Sequence, residues 1–247
     1  MSLQKTANFV GFFLFLCAWE LFALLNNGVF VPHSLNIFYS LVQIFSSGKI
    51  WIALLKTLFI VLLGVFVAIV IGLNTAMAMG INKFIYNTVF PVVNFIRHIP
   101  TIALFPALMA LFGVSDFARI VLIALNSFPA IVISAYHGIS VVDKSVIEAS
   151  RVDGASEPRI LFSMKLPLAI SEILNGISIS IGNAFVAVVV AEMLGASNGL
   201  GFMIMWATNA FNYPEVYAYI IILSVLGIVI NKVLNFFIKK IEGVVYA

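Results

Sequence analysis

Charged residues are scarce in this chain: Asp, Glu, Lys and Arg make up 9 % of its 247 residues, whereas soluble domains contain about 25 %. Hydrophobic residues make up 63 %. This composition excludes a water-soluble globular domain. The net charge of +3 comes from cations dispersed among loops, so no basic stripe of the kind that binds nucleic acid is present.

Sequence signatures of catalysis and of metal binding are also missing. The single cysteine, Cys17, excludes a disulfide within the chain. The three histidines, His33, His98 and His137, are far apart, and none has a second ligand at helical spacing. Neither the phosphate-binding pattern Gly-x4-Gly-Lys-Ser/Thr nor the hydrolase pattern Gly-x-Ser-x-Gly occurs. We therefore predict that the chain is not an enzyme and binds no metal or cofactor.

Long apolar runs are what the sequence does contain, and they predict an all-α integral membrane protein. A membrane-spanning helix needs about 20 apolar residues. Six runs meet this requirement, at residues 9–25, 52–79, 88–112, 118–139, 168–194 and 217–237. A polar break is expected at 77–87, and shorter amphipathic stretches at 35–45 and 202–211 are expected to lie along the membrane surface.

The distribution of cations near the span ends predicts the orientation. Cytoplasmic flanks of membrane proteins carry an excess of Lys and Arg. If the N-terminus is inside, the outer flanks carry only Lys49 and Arg119. The inner flanks then carry Lys5, Lys83, Lys144, Arg151, Arg159, Lys165, Lys239 and Lys240. This asymmetry predicts that both termini and the 143–167 loop lie in the cytoplasm.

Residues 148–167 of this loop are the longest stretch of the second half without a membrane-type apolar run. The local signals of the loop predict two short helices. Ser145 and Glu148 form a capping-box pattern at the start of the first helix. Gly154 is suited to the left-handed residue at its end. Ser156 can cap a second helix, and Pro167 suits the first turn of the following span.

This loop resembles the EAA loop of permease subunits in ABC-type importers. The family pattern is Glu-Ala-Ala-x3-Gly-x9-Ile-x-Leu-Pro, with Ser150 in place of the second alanine and Met164 in place of the isoleucine. In the family this loop is the coupling helix that enters a groove on the ATPase. The residues that the resemblance assigns to ATPase coupling are Ser145, Glu148, Ala149, Ser150, Gly154, Ala155, Leu166 and Pro167.

Further matches resemble one branch of that family, the nitrate/sulfonate/taurine-type permeases. They are Glu192 with Gly199-Leu200-Gly201, and Arg97-x-Ile99-Pro100 followed by Pro106 and Phe112-Gly113. Together with the loop, the matches extend over residues 51–240. The branch also includes permeases for bicarbonate and for pyrimidine precursors of thiamine, so the resemblance leaves the solute open.

The resemblance implies a type I ABC importer permease fold. Residues 1–50 would form the first helix and an external connection, 51–240 the transmembrane domain and 241–247 a cytosolic tail. The implied partners are two cytosolic ATPase subunits that bind ATP and Mg, an extracytoplasmic binding protein, a second permease copy (or a close relative of this chain) and membrane lipid. The implied location is the bacterial plasma membrane, and the implied mechanism is alternating access.

Polar residues within the spans are candidates for the pathway of a small, anionic solute. Ser171, Asn175, Ser178 and Gly182 recur at helical spacing, which fits either helix packing or a pathway lining. Arg97 either stabilises the bend expected at Pro100 or supplies positive potential to the pathway. The candidate pathway residues are Arg97, His98, Pro100, Asn175, Ser178, Asn183 and Glu192.

Two other classes are weighed against this interpretation. An ion-coupled secondary transporter would need paired ionisable groups near the midplane and an internal repeat, and the two halves show no convincing repeat. An intramembrane enzyme would need a nucleophile and a base, and the sequence offers no such pair.

Overall fold

The computed structural model describes residues 2–245, with side chains except at 2–9, 12, 144, 146 and 242–245. Within that range every regular element is helical. The α-helices are α1 (Ser2–Leu25), α2 (Ser34–Ser46), α3 (Lys49–Ile81), α4 (Lys83–His98), α5 (Phe105–Phe112), α6 (Asp116–Ser140), α7 (Lys144–Val152), α8 (Glu157–Ile160), α9 (Leu166–Leu168), α10 (Ile170–Gly195), α11 (Leu200–Asn209) and α12 (Tyr213–Val245). A 3₁₀ turn (Thr101–Leu104) precedes α5, and a π-helical turn (Leu161–Lys165) joins α8 to α9.

Among the described residues, four helices are long and apolar enough to cross a membrane: α3, α6, α10 and α12. Helix α4 and the segment Thr101–Phe112 pass the same criterion together as one bent span. The all-α membrane fold is thus confirmed. The predicted first span, 9–25, begins among residues whose side chains lie outside the description, and only Phe13–Leu25 of it is found as a shorter apolar helix. The count of six spans therefore stays a prediction.

The centre of the molecule is α6, which packs between α3 and α10. Helix α3 carries a small residue at every fourth position from Gly64 to Gly80. A Cβ built on Gly64, Gly72 or Gly80 would lie 2.6, 2.9 or 2.7 Å from Ile123, Ile131 or Ile139 of α6. Such small residues allow two helix backbones to approach closely. The residue numbers of the contacting glycines and isoleucines increase in the same direction, so α3 and α6 run parallel.

Helix α10 packs on the other side of α6 and runs antiparallel to it. Gly176 lies against Ser134, and Gly138 of α6 lies against Ala169 and the Glu172 side chain. The buried hydroxyls of Ser127 and Ser180 donate to each other's backbone carbonyls, at 3.4 and 3.2 Å. The three-helix core of α3, α6 and α10 is therefore closely packed, with hydrogen bonds between α6 and α10.

The structure corrects two predictions about the third span. The expected polar break at 77–87 is a single residue, Asn82, whose side chain accepts a hydrogen bond from Phe84 N and caps α4. The expected continuous span 88–112 is broken, since the axes before and after Ile99–Pro100 differ by 86°. A proline cannot donate the helical hydrogen bond at its position and disfavours a helical residue before it. Ile99 is accordingly extended, with φ −73° and ψ 128°.

Both predicted amphipathic stretches are helical, as α2 and α11. The predicted tail, 241–247, continues α12 as far as Val245, and its last two residues lie outside the described range.

Candidate functional site

The first candidate site is the segment from Asp143 to Leu168, which leaves the three-helix core as α7 and returns as α8. The N-cap residue of α7 lies two positions before the predicted Ser145. The N-cap is Asp143, whose Oδ1 accepts hydrogen bonds from the Ser145 amide and the Ser145 hydroxyl, both at 2.9 Å. The predicted capping box with Ser145 at the N-cap is therefore wrong. The two bonds from Ser145, the backbone amide first, lower the pKa of the Asp143 carboxyl.

The end of α7 is a glycine-terminated turn, as predicted. Gly154 has φ +80°. The Ala155 amide donates to Ser150 O, and the Gly154 amide donates to Arg151 O, both at 3.0 Å. These two bonds form a Schellman motif, in which the left-handed residue reverses the chain and satisfies the last carbonyls of the helix. No other atom lies within 4 Å of a Cβ built on Gly154, so the requirement for glycine comes from the backbone alone.

The two positions that depart from the EAA pattern contact each other. Ser150 is 5 % exposed, and its hydroxyl donates to the Met164 sulfur at 2.8 Å. Of the residues predicted to face the ATPase, Ser150 therefore faces the protein interior. Glu148 and Ala149 are exposed. Sequence reasoning missed Val152, which is 88 % exposed, and its apolar side chain at the tip of the loop is the signal that could have found it.

The return path connects the loop directly to α10. Arg151 of α7 pairs with Glu157 of α8, with 2.6 Å between Nη2 and Oε1. Ser156 occupies the N-cap of α8 as predicted but accepts no capping bond, and Pro158 lies in the first turn. Leu166 packs against core residues at the end of α6 and the start of α10, and Pro167 is exposed. From α8 to α10 the chain is helical except at Ala169.

The second candidate site is the Arg97 cavity, a space of about 390 Å³ between α4, α6 and α10. Arg97, Thr101, Asn126, Ser134 and Asn183 contribute its polar lining. The Thr101 hydroxyl donates to Asn126 Oδ1 at 2.6 Å, and Asn126 Nδ2 donates to the Asn183 carbonyl oxygen at 3.1 Å. Arg97 itself has no hydrogen-bond or ion-pair partner among the described residues.

The other predicted pathway residues do not line this cavity. His98 is exposed and its Nδ1 lies 2.7 Å from Asn94 O, while Pro100 is exposed at the bend. Asn175 and Gly182 are exposed on α10, and a Cβ on Gly182 would meet nothing within 4 Å. Ser178 is half-buried. Two members of the polar stripe of α10, Asn175 and Gly182, are therefore exposed, and contacts with α6 come from Gly176 and Ser180.

Glu192 lies in a third place, at the other end of α10, and is fully buried. Its carboxylate accepts hydrogen bonds from the Thr57 hydroxyl at 2.9 and 3.0 Å and from Gly201 N at 2.9 Å. Thr57 in turn accepts from Leu200 N at 2.9 Å. The carboxylate therefore caps the first turn of α11 from a neighbouring helix. We call Thr57, Glu192, Gly199, Leu200 and Gly201 the Glu192 centre.

Both glycines of the Glu192 centre lie where a larger side chain would clash with neighbouring atoms. A Cβ on Gly199 would lie 2.4 Å from the Glu192 carboxyl group, and Gly199 has φ +123°. A Cβ on Gly201 would lie 2.3 Å from Val189 O. The glutamate and the Gly-Leu-Gly sequence thus form one structural unit. Sequence reasoning missed its third part, Thr57, because 135 residues separate Thr57 from Glu192.

The same end of the molecule contains a group of ion pairs between α3 and α6. Asp116 pairs with Lys56 and with Arg119. Arg119 is 5 % exposed, and its buried Nη1 is without a hydrogen-bond partner among the described residues. These charges lie at the opposite end of α6 from α7.

Comparison with known proteins places these features in one family. The family model described as "Binding-protein-dependent transport system inner membrane component" matches residues 61–243, which include the loop, the Arg97 cavity and most of the Glu192 centre.

Individual relatives agree with this match. The chain is 35 % identical over 152 residues to a putative aliphatic sulfonates transport permease protein, SsuC, of Bacillus subtilis (strain 168), covering 62 % of this chain and 54 % of the relative. It is 31 % identical over 141 residues to the taurine transport system permease protein TauC of Escherichia coli (strain K12), covering 57 % and 51 %. The matches span little more than half the length of these relatives.

Among solved structures, a chain of the inward-facing MetNI methionine ABC transporter has the same fold, with a TM-score of 0.69 at 22 % identity. That match covers 79 % of this chain and 97 % of the other.

Proposed function

The chain belongs to the family of inner membrane components of binding-protein-dependent transport systems, and from this membership we propose that it is the permease subunit of an ATP-driven ABC importer. Two copies form the translocation pathway, two cytosolic ATPase subunits drive it, and an extracytoplasmic binding protein delivers the solute. ATP and Mg bind to the ATPases and not to this chain. Family membership also argues against the ion-coupled transporter considered above.

The observation that carries this proposal is the exposed tip of α7. Glu148, Ala149 and Val152 face outward, and Val152 is 88 % exposed. An apolar side chain this exposed, on a capped helix outside the apolar spans, is suited to a partner protein. The partner is an ATPase, and closure of the ATPase dimer on ATP moves the two copies of α7. Helix α10 follows through its helical connection, and the pathway changes from inward-open to outward-open.

For the solute we propose a small anion of the sulfonate, taurine or nitrate kind. Arg97 supports this, because an arginine in an apolar helix is costly unless it faces protein or water. Here it lies in the Arg97 cavity without a carboxylate partner. The Thr101, Asn126 and Asn183 groups beside it can orient a polar solute. The names of the sulfonate and taurine relatives support the same class.

The chain is a multi-pass membrane protein of the bacterial plasma membrane, and we propose that α7 and both termini lie in the cytoplasm. Three of the cations assigned to the inner flanks, Lys83, Arg151 and Lys165, meet around one cavity beside α7. The Lys5 and Lys144 side chains lie outside the description. The ion-paired group of Lys56, Asp116 and Arg119 lies at the opposite, external end.

Substitution of Gly154 tests the coupling role. Gly154→Val is expected to reach the membrane but to lose most coupled uptake, because a β-branched residue at φ +80° is strained by about 1–3 kcal/mol. The control is Gly154→Asn, since asparagine tolerates this conformation. Uptake and ATPase activity are measured in membranes that contain the ATPase and the binding protein. Wild-type uptake by Gly154→Val with the ATPase still attached would contradict the proposal.

Cysteine labelling tests the orientation. In a Cys17→Ala background, Ser145→Cys and Ser197→Cys place thiols at two exposed positions. An impermeant thiol reagent applied to intact cells is expected to label Ser197→Cys and to spare Ser145→Cys. Equal labelling of both variants would contradict the proposed topology.

A further inference from the structure

A second polar cavity, of about 330 Å³, lies directly behind α7 and is separate from the Arg97 cavity. The end of α3, the start of α4, the end of α6 and the π-helical turn surround it. Helix α7 closes one side with Ile147 and Arg151. We call it the basic cavity, because three cations, Lys83, Arg151 and Lys165, line it with a single carboxylate, Glu157.

The charge of the basic cavity is only partly compensated within the chain. Glu157 pairs with Arg151 at 2.6 Å, so this carboxylate is already engaged. Lys83 has no ion-pair partner among the described residues, and the only described hydrogen bond of the Lys165 ammonium group is to Gly80 O, at 3.5 Å. Two lysines from different helices therefore direct uncompensated positive charge towards one space.

Two tyrosines add hydrogen-bond donors to the same space. The rings of Tyr86 and Tyr136 are stacked, with centroids 4.7 Å apart and an interplanar angle of 18°. Stacking fixes their orientation, and neither hydroxyl has a hydrogen-bond partner in the described part of the chain. A cavity with two ammonium groups that lack a described ion-pair partner and two hydroxyls that lack a described hydrogen-bond partner is suited to a small anion with several acceptor oxygens, such as a phosphate group.

The surroundings of the basic cavity are those of a membrane boundary. It lies where the apolar helices α3 and α6 end and α4 begins, and Phe84, next to Lys83, is 76 % exposed. Basic pockets between transmembrane helices at the cytoplasmic surface are a known setting for phospholipid head groups. We propose that the basic cavity binds a phosphate group, as carried by an anionic phospholipid or by free phosphate, and that the bound phosphate fixes the position of α7. The assignment to the cytoplasmic side rests on the proposed function.

The test uses the purified full-length chain in nanodiscs, made either of dioleoylphosphatidylcholine or of the same lipid mixed with dioleoylphosphatidylglycerol. Thermal unfolding and the number of phosphatidylglycerol molecules retained in native mass spectrometry are measured. Phosphatidylglycerol is expected to raise the unfolding temperature of the wild type. The double variant Lys83→Gln/Lys165→Gln is expected to lose this shift and to bind phosphatidylglycerol roughly fivefold more weakly for each lysine removed.

The matched control is Lys239→Gln/Lys240→Gln, which removes two cations at the same predicted membrane surface but outside the basic cavity. This variant is expected to keep the phosphatidylglycerol shift. Loss of the phosphatidylglycerol shift in both double variants would attribute the stabilisation to general surface charge and would overturn the proposal. Absence of any shift in the wild type, with phosphatidylglycerol and with phosphate alike, would also overturn it.

A second arm distinguishes the two sources of phosphate. Inorganic phosphate is titrated into phosphatidylcholine nanodiscs. A stabilisation that depends on Lys83 and Lys165 in this arm alone identifies free phosphate as the ligand, and one confined to phosphatidylglycerol identifies the lipid. These binding measurements need neither the ATPase nor uptake, so a negative result leaves the proposed function unaffected. If the coupling test with Gly154→Val fails, the binding measurements can still be interpreted.

Discussion

Glu192 and Arg97 are both ionisable residues in apolar helices, and their surroundings are opposite. The Glu192 carboxyl group is enclosed by the chain: it is fully buried, accepts hydrogen bonds from the Thr57 hydroxyl and the Gly201 amide, and leaves no room for a Cβ on Gly199. Arg97 has no described partner and faces a cavity of about 390 Å³. A buried carboxyl group whose hydrogen bonds are made within the chain stabilises the structure, whereas a charged group with open space and no partner is available to a ligand.

The largest effect on stability is expected from Glu192→Ala. This variant leaves the Gly201 amide and the Thr57 hydroxyl without their acceptor in a buried site, which should lower the free energy of unfolding by on the order of 3 kcal/mol. Glu192→Gln should cost less, because its amide oxygen can still accept from Gly201. Thermal unfolding of the purified protein measures both. If Glu192→Ala had wild-type stability and yet failed to transport, Glu192 would belong to the pathway and the contrast with Arg97 would be lost.

A smaller effect is expected from Thr57→Val. The substitution keeps the shape of the side chain but removes the hydroxyl that donates to Glu192 and accepts from Leu200. The expected loss is about 1–3 kcal/mol. Thr75→Val is the matched control, since Thr75 lies on the same helix, is half-buried, and its one described hydrogen bond is to the carbonyl of Ile71. Equal unfolding temperatures for the two variants would show that the hydroxyl of Thr57 has no special role.

The smallest effect on stability is expected from Arg97→Gln, which should change the free energy of unfolding by no more than about 0.5 kcal/mol. Uptake of anionic solute by this variant should nevertheless fall on the order of tenfold or more, because a hydrogen bond to a charged group contributes about 1.5–3 kcal/mol. Arg97→Lys should keep much of the uptake. Solute uptake and assembly with the ATPase are measured side by side. Normal transport by Arg97→Gln, or failure of both variants to assemble, would contradict a role for Arg97 in an anion pathway.

Apolar runs were sufficient to predict most of the helices, because long hydrophobic segments have few alternatives in a membrane. The turn at Gly154 was also predictable, because the chain reversal depends on neighbouring residues alone. The length of the break before α4 was not predictable from the sequence, since Asn82 alone ends α3 and caps α4. Pro91, Pro106 and Pro129 lie within helices, whereas the chain bends by 86° at Pro100. Sequence alone does not separate these cases.

The direction in which a side chain faces was the least predictable property of the candidate sites. Ser150 lies in the EAA-like segment, but its side chain turns inward to Met164, a residue 14 positions away. Glu192 and Arg97 carry similar signals in the sequence, and only the positions of Thr57 and Gly201 separate their roles. These contacts join distant segments, so no local pattern contains them.

The contact between α3 and α6 limits how the protein can change shape. The three isoleucines of α6 sit on glycines that recur every eight residues of α3, a repeat of about 12 Å. Sliding by one helical turn, about 5.4 Å, would bring these isoleucines towards the methyl groups of Ala68 and Ala76, where the space is already filled. We therefore expect α3 and α6 to keep this axial setting and to move together when the proposed pathway opens, with the change in angle at joints such as Ile99–Pro100.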